Sequence, residues 1–517
     1  MSNLMAASSE ASTSALNDEE DAITDTPLLS NAPRIQERPR DNQEAILKRA
    51  RPLTSLVLYF MTIHFLLAFC EMILVAPLIR LFENSLCLSY FDFPVGGVEE
   101  AMCKINEIQH PLATIRGWKS MFDTIPVLLV AVPIGRLGDH HGRRKIMALA
   151  LLGVAGSLGE IFVVCAFPKI FRLQLVWLSS VILLCGGGLN SASAFMWAMA
   201  SESIPAERRS HAFYYIFSAF YVAELVASFI ASVTIDISPW IPCGLAMGSV
   251  LLCLMLLAFM PDPRTSPHSL YSAILQDPTD GENVESSNKN MKGLSRPQFV
   301  TGLVSALSNR NTLLVIPVFL VGIFRYAMLN LLIQYASVRF GFKISRGATF
   351  YTETAFINIC LFLFLVPRLT TYIRSKYDIR PETIDLALVK MSVILLALGC
   401  LAIGLAQSSG FLPIGVFIFA AGFGSRVFAL SLVSYWISDD AKATLYAAIV
   451  VLESLGHAIG DPAIQQIFAK SLSFSPFWQA TPFFVGSGLY SLALLSSSFV
   501  TLGHRAELHE ETLSEND

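Results

Sequence analysis

Charge is scarce in this chain. Only 15% of its 517 residues are Asp, Glu, Lys or Arg, against about 25% in an ordinary soluble protein. That shortage excludes a cytosolic enzyme of two or three standard domains. No charge interrupts Leu173–Ser201, Met391–Ser425 or Ser471–Gly503, and each run exceeds the ~20 apolar residues that carry a helix across a bilayer. No phosphate-binding loop is present, which leaves ATP-driven transport without support, and no nucleophile elbow marks a hydrolase. Thiol spacing typical of a metal site is missing, and no cofactor box stands out. No cofactor, no metal and no nucleic acid are therefore expected. The first 50 residues lack the apolar core of a cleavable signal.

Six of the nine cysteines fall inside apolar stretches, where a thiol behaves as a small hydrophobe. Cys87 and Cys103 instead share a polar loop. On an oxidising face they would close a disulfide, worth about 3 kcal/mol in the chain-entropy model. Two free thiols are the alternative.

Apolar segments begin near residues 54, 118, 146, 174, 212 and 240, then near 312, 347, 386, 411, 441 and 478. The expected fold class is an all-α membrane protein with about twelve transmembrane helices in two six-helix halves. Residues 1–52 read as a disordered cytosolic tail, 53–260 as the first half and 261–310 as a cytosolic linker. Residues 311–503 read as the second half and 504–517 as an acidic cytosolic tail. With the N-terminus inside, 24 of the 36 Lys and Arg residues fall on the cytosolic side. Ten lie in the opposite loops, Arg116 and Lys119 among them, and Arg325 and Arg426 lie within spans. The bias places both termini in the cytosol and Cys87 and Cys103 on the outer or lumenal face.

Between the second and third segments stands Gly135-Arg-Leu-Gly-Asp139-His-His-Gly142-Arg143-Arg144-Lys145. It resembles the loop 2–3 signature of the major facilitator superfamily, G-x-L-x-D-x-x-G-R-R-K. Gly135 is expected to let helix ends approach, and Gly142 to permit a reversal at positive φ. Asp139 can accept hydrogen bonds from a neighbouring helix N-terminus, and Arg143 and Arg144 serve the positive-inside bias. Glu202, at the end of span 4, is expected to pair with Arg143. Asp139 and Arg143 would then pin the cytosolic ends of the two halves together.

A finer match adds Glu83, Cys87, Cys103-Lys104, Gln109, Gly117-Trp118, Gly186-Gly187-Gly188, Gln334-Tyr335, Glu453, Gly456 and Pro462. With these, the chain resembles fungal carriers of the superfamily, distantly similar to the proton-coupled folate and haem-carrier group. The resemblance covers most of residues 54–502 and says little about substrate. Span 5 departs from the G-x-x-x-G-P-x-x-G-G pattern of drug–proton antiporters and carries Glu224 instead. The loop Pro367–Arg374 does not repeat the first-half signature as sugar porters do.

Ionisable groups inside spans cost about 3 kcal/mol each on insertion scales and are functional by default. Arg325, Arg426, Glu224 and Glu453 fall near the midplane at about 1.5 Å per residue. In the family that the chain resembles, spans 1, 4, 7 and 10 line the central cavity, and the two arginines lie on spans 7 and 10. A guanidinium there can grip a carboxylate or phosphate bidentately. The alternative is an internal ion pair, with Glu453 neutralising one arginine. Glu224 and Glu453 are candidates to carry protons. Glu71, Asp123, Glu160 and Glu353 are placed in the outer third, with packing or loop-tethering roles.

The expectation is a secondary active transporter of a small organic molecule, working by alternating access, and not an enzyme. Proton-coupled efflux of a metabolite or toxin stands first. A proton-coupled importer of an anionic nutrient is one alternative, and a non-transporting nutrient receptor on the same fold is another. The expected partners are a small-molecule substrate, protons and the lipid bilayer. The plasma membrane is the expected location, with a vacuolar or other endomembrane as the alternative.

Overall fold

The computed structural model describes residues 53–91, 99–204, 206–259, 309–377, 379–436 and 439–502. The side chains of Ala131, Val132, Asp139, Ala206, Glu207, Ser210, His211 and residues 439–447 lie outside that description. So do the expected tails, 1–52 and 504–517, and the linker as far as residue 308.

Among the described residues the chain is helical throughout, with no strand. The first half comprises α1 (Leu53–Phe91), α2 (Asn106–His141), α3 (Arg143–Ala166), α4 (Leu173–Ser203), α5 (Ala206–Thr234) and α6 (Trp240–Ala258). The second comprises α7 (Arg310–Phe340), α8 (Ile344–Tyr377), α9 (Pro381–Leu405), α10 (Ser409–Ser434), α11 (Asp439–Ser471) and α12 (Thr481–Ser498). Helices are what an apolar solvent permits, because each backbone N–H and C=O finds its partner within the segment.

Nine of these helices are long and apolar enough to cross a membrane on their own; α2, α11 and α12 are not among the nine. The first two carry Arg116, Lys119 and Asp123, and Glu453, His457 and Asp461. They pack on each other, so each shields the other's polar face from lipid. At their crossing a Cβ on Gly117 would sit 2.9 Å from Gln465 Cβ and 3.2 Å from Pro462 Cα. Only a hydrogen fits there. With α5 against α8, this pair joins the halves.

The second span starts at Asn106, a dozen residues before its apolar run. Arg116 and Lys119 therefore lie on a helix and not in a loop. The early turns are helical despite their polarity because their side chains are satisfied by protein groups, as described below.

Two helices are broken at matching places. The fourth of the first half passes through 3-10 turns at Leu173–Leu178 and Leu183–Cys185, and resumes after Gly187 and Gly188, at φ +76° and +71°. The fourth of the second half stops at Ala421 and restarts at Ser425 across Gly422-Phe423-Gly424. These glycines also allow close approach: a Cβ on Gly186 would meet Ala150 Cα at 2.3 Å, and one on Gly422 would meet the Ser392 carbonyl oxygen at 2.5 Å. Interruptions at equivalent positions of two halves point to a binding region between them.

Beyond α1 a short 3-10 turn, Glu100–Cys103, folds back so that Cys103 is bonded to Cys87, with 5.5 Å between their Cα atoms. Both are fully buried. Maleimide labelling of the unfolded, unreduced protein is expected to leave these two unmodified and to reach them only after reduction. Modification of either before reduction would remove the bond.

Candidate functional site

Around the signature loop, Gly142 caps both α2 and α3 at φ +96°, a conformation glycine reaches without strain. Its N–H donates to the Gly138 carbonyl at 3.0 Å. A Cβ on Gly138 would lie 2.5 Å from Phe195 Cε1, whereas among the described residues one on Gly135 would meet nothing within 4 Å. Arg143 Nη1 lies 2.8 Å from Glu202 Oε1, and Arg144 donates to the Ala258 carbonyl. Arg143, Arg144, Glu202 and Ala258 all belong to the first half, so these contacts tie α3 to α4 and to the end of α6. The Asp139 side chain lies outside the described residues.

The opposite end of the bundle, which carries the disulfide, is where the halves are stitched together. Glu83, 1% exposed, accepts from Lys104 Nζ at 2.6 Å, Gln109 Nε2 at 2.6 Å and Arg80 Nη1 at 3.0 Å. Gln334 Nε2 of α7 donates to Gln109 Oε1 at 2.9 Å. Arg116 donates to Gln334 Oε1 at 2.7 Å and to Asn330 Oδ1 at 2.9 Å. Glu100 accepts from the Ile344 N–H at 2.8 Å, capping α8 of the other half, where a carboxylate suits the helix dipole. Thr352 Oγ1 donates to Ser228 Oγ at 3.0 Å. Buried polar groups satisfied in one connected network fix a single arrangement. Glu83, Lys104, Gln109 and Gln334, which in the sequence only marked a resemblance, all belong to it.

Midway along the bundle lie four charged groups, Glu224 fully buried and Arg325, Arg426 and Glu453 half-buried. Arg426 and Glu453 form a two-pronged pair, Nε to Oε1 at 2.5 Å and Nη2 to Oε2 at 2.8 Å. Of the two readings open for Arg426, this geometry is the internal ion pair. Arg325 Nη1 donates to the Phe423 carbonyl at 2.6 Å, a group that the break in α10 frees. Its guanidinium also lies 5.4 Å and 5.6 Å from the ring centres of Tyr326 and Phe423, within cation–π range. Arg325 Nε is buried without an acceptor. Glu224 is 0% exposed, neither of its oxygens has a hydrogen-bond partner, and Arg325 and Glu71 are the charges that act on it.

Glu71 lies at the middle of α1, not in its outer third, because the helix runs on to Phe91. It is exposed between buried neighbours on either side and interacts electrostatically with His457 of the other half. Asp123 accepts from Lys119 on its own helix and from Ser180 on α4.

A two-half helical bundle with glycine-broken fourth helices and charges at its centre defines a membrane carrier. Residues 105–460 match the Major Facilitator Superfamily, and the chain belongs to that family. It is 30% identical to the MFS efflux pump atnC of Emericella nidulans, over 80% of this chain and 81% of the relative. It is 27% identical to the efflux pump ustT of Aspergillus flavus, over 82% and 83%. Among solved structures it resembles a D-xylose-proton symporter (TM-score 0.60, 16% identity, 87% of this chain and 98% of that one). The inward-open xylose transporter XylE from E. coli is similar as well (TM-score 0.60, 12% identity, 88% and 97%). The protein is thus an integral, multi-pass secondary transporter of small molecules and not an enzyme.

Proposed function

We propose that this transporter exports a small organic metabolite in exchange for protons across the plasma membrane. Both termini and the Gly135–Lys145 loop face the cytosol, and the disulfide-bonded end faces outward. The observation that carries this reading is Glu224, a carboxyl group with no hydrogen-bond donor beside a central arginine. Such a group is costly to keep charged and is suited to gaining and losing a proton. The printed names of the two fungal relatives, both efflux pumps, support the direction. Arg325 receives an acidic group of the substrate, since its Nε lacks an acceptor. Asp139 and Arg143, the latter paired with Glu202, pin the cytosolic ends of the two halves in the outward-facing state.

Inside-out vesicles carrying the protein, acidified within, test this with a panel of neutral and acidic aromatic and aliphatic compounds. Exchange predicts that a transported compound accumulates inside while the acidity dissipates. Uptake only into right-side-out vesicles from an acidic medium would make the protein an importer instead.

A further inference from the structure

The far end of α8 outruns a bilayer. Its 34 residues, Ile344–Tyr377, extend about 51 Å at 1.5 Å per residue, and a hydrocarbon core is about 30 Å thick. Counted from Ile344, the last turns, Val366–Tyr377, lie past it. Just before them Cys360–Leu365 is π-helical, the kind of bulge at which helices bend. The last turns can therefore follow the membrane surface instead of running straight out into water.

These turns are two-sided. Leu365, Leu369 and Tyr372, at i, i+4 and i+7, share a face, and all three are exposed. Val366, Thr370 and Ile373 beside them are half-buried. Arg368 borders the exposed stripe and Lys376 ends it. The Arg368 guanidinium lies 5.9 Å from the ring centre of Phe364, and Lys376 Nζ lies 5.3 Å from that of Tyr372, to whose hydroxyl it donates at 2.9 Å. Arg374 and Arg380 are exposed as well. Among the described residues none of these four bases has an acidic partner, and Asp378 is the only acid between Arg368 and Arg380. A positive-inside bias accounts for the bases. It gives no reason for an exposed apolar stripe beside them.

We propose that Val366–Tyr377 lies in the headgroup layer and docks on anionic phospholipid. Leu365, Leu369 and Tyr372 enter the acyl boundary, and the stems of Arg368 and Lys376 run beside them while their charges reach lipid phosphate. Four bases next to a span are what a negative leaflet attracts, each strengthening the contact about fivefold. On the proposed topology this end of α8 is cytosolic, the side on which anionic lipid gathers. Neither the exported substrate nor the proton exchanged for it takes part in the contact.

In a Cys185→Ser, Cys360→Ser background, a nitroxide at Leu369→Cys reports the contact in lipid nanodiscs. Both leaflets of a disc are alike, so the outcome depends on neither topology nor transport, and either can fail without the other. With about 30% phosphatidylserine in phosphatidylcholine, collisions of the nitroxide with the neutral, water-soluble complex Ni(II)–EDDA should fall about threefold or more from their rate in phosphatidylcholine alone. Salt at about 1 M, where the Debye length is about 3 Å, should restore them. Arg368→Gln, Arg374→Gln, Lys376→Gln and Arg380→Gln together should abolish the fall. Arg368→Lys, Arg374→Lys and Arg380→Lys together keep the charge and should retain it, which decides the matter should the glutamine variant not fold. Equal collisions in the two lipids, a fall that salt does not reverse, a fall kept by the glutamine variant, or one lost in the lysine variant would each overturn the docking.

Discussion

Arg426→Gln is expected to destabilise the transporter by about 3 kcal/mol, and adding Glu453→Gln should recover most of that loss. The single change leaves Glu453, only 13% exposed, without the two-pronged partner that now neutralises it. Removing one member of a buried pair typically costs about 3–5 kcal/mol. The lower end applies because the Arg426 side chain is 34% exposed and water screens part of the charge. The double variant has no charge left to strand and replaces the pair by two amides of similar reach. Size-exclusion profiles of fluorescent fusions, before and after heating, report folded yield for both. If the double variant is no more stable than the single, Arg426 has a role that Glu453 does not share, and a substrate-binding role reopens.

This outcome bears on substrate charge. Two central arginines facing one cavity would call for a doubly acidic ligand or for a second counter-ion. The structure uses one arginine internally and leaves Arg325 held by a single carbonyl and two rings. On the proposed function, one acidic group on the substrate would be enough for that arrangement.

How far the sequence could lead is clearest at α2. The charge-poor runs made the membrane class and the two halves plain, because apolar length is a local property. The polar start of α2 was hidden, since nothing local says that Gln109 and Arg116 find their acceptors on Cys103, Glu83, Asn330 and Gln334. Glu71 was misplaced for a related reason: the depth of a residue depends on where its helix ends, and α1 continues eleven residues past Arg80, the first charge after Glu71, to Phe91. The glycine runs of α4 and α10 were visible as small residues, but their use as helix breaks depends on positive φ and freed carbonyls, which composition does not show. The signature loop was legible in its residue types and not in its partners. Arg143 does meet Glu202, while the bonds between the halves at the disulfide end come from Gln109, Arg116 and Gln334, whose partners no local pattern names.

Glu224→Met is expected to abolish proton-driven exchange while leaving the fold at least as stable as wild type. Ordinarily, removing a buried charged group costs stability, because its partners are left unpaired. Here there are no hydrogen-bond partners to strand: both oxygens are buried and unbonded, and Arg325 keeps the Phe423 carbonyl and two aromatic faces. Methionine fills nearly the same volume, an exchange that cores tolerate, and relieving an unsatisfied buried group is worth about 1–3 kcal/mol. The vesicle assay should therefore show at least a tenfold loss of acid-driven accumulation, alongside an unchanged or raised midpoint of thermal unfolding. A fall in stability of 1 kcal/mol or more (about a fivefold change in the folding equilibrium) would mean that Glu224 serves as the standing counter-ion of Arg325. The proton carrier would then have to be sought elsewhere in the bundle. Retained exchange with unchanged stability would remove Glu224 from the mechanism altogether.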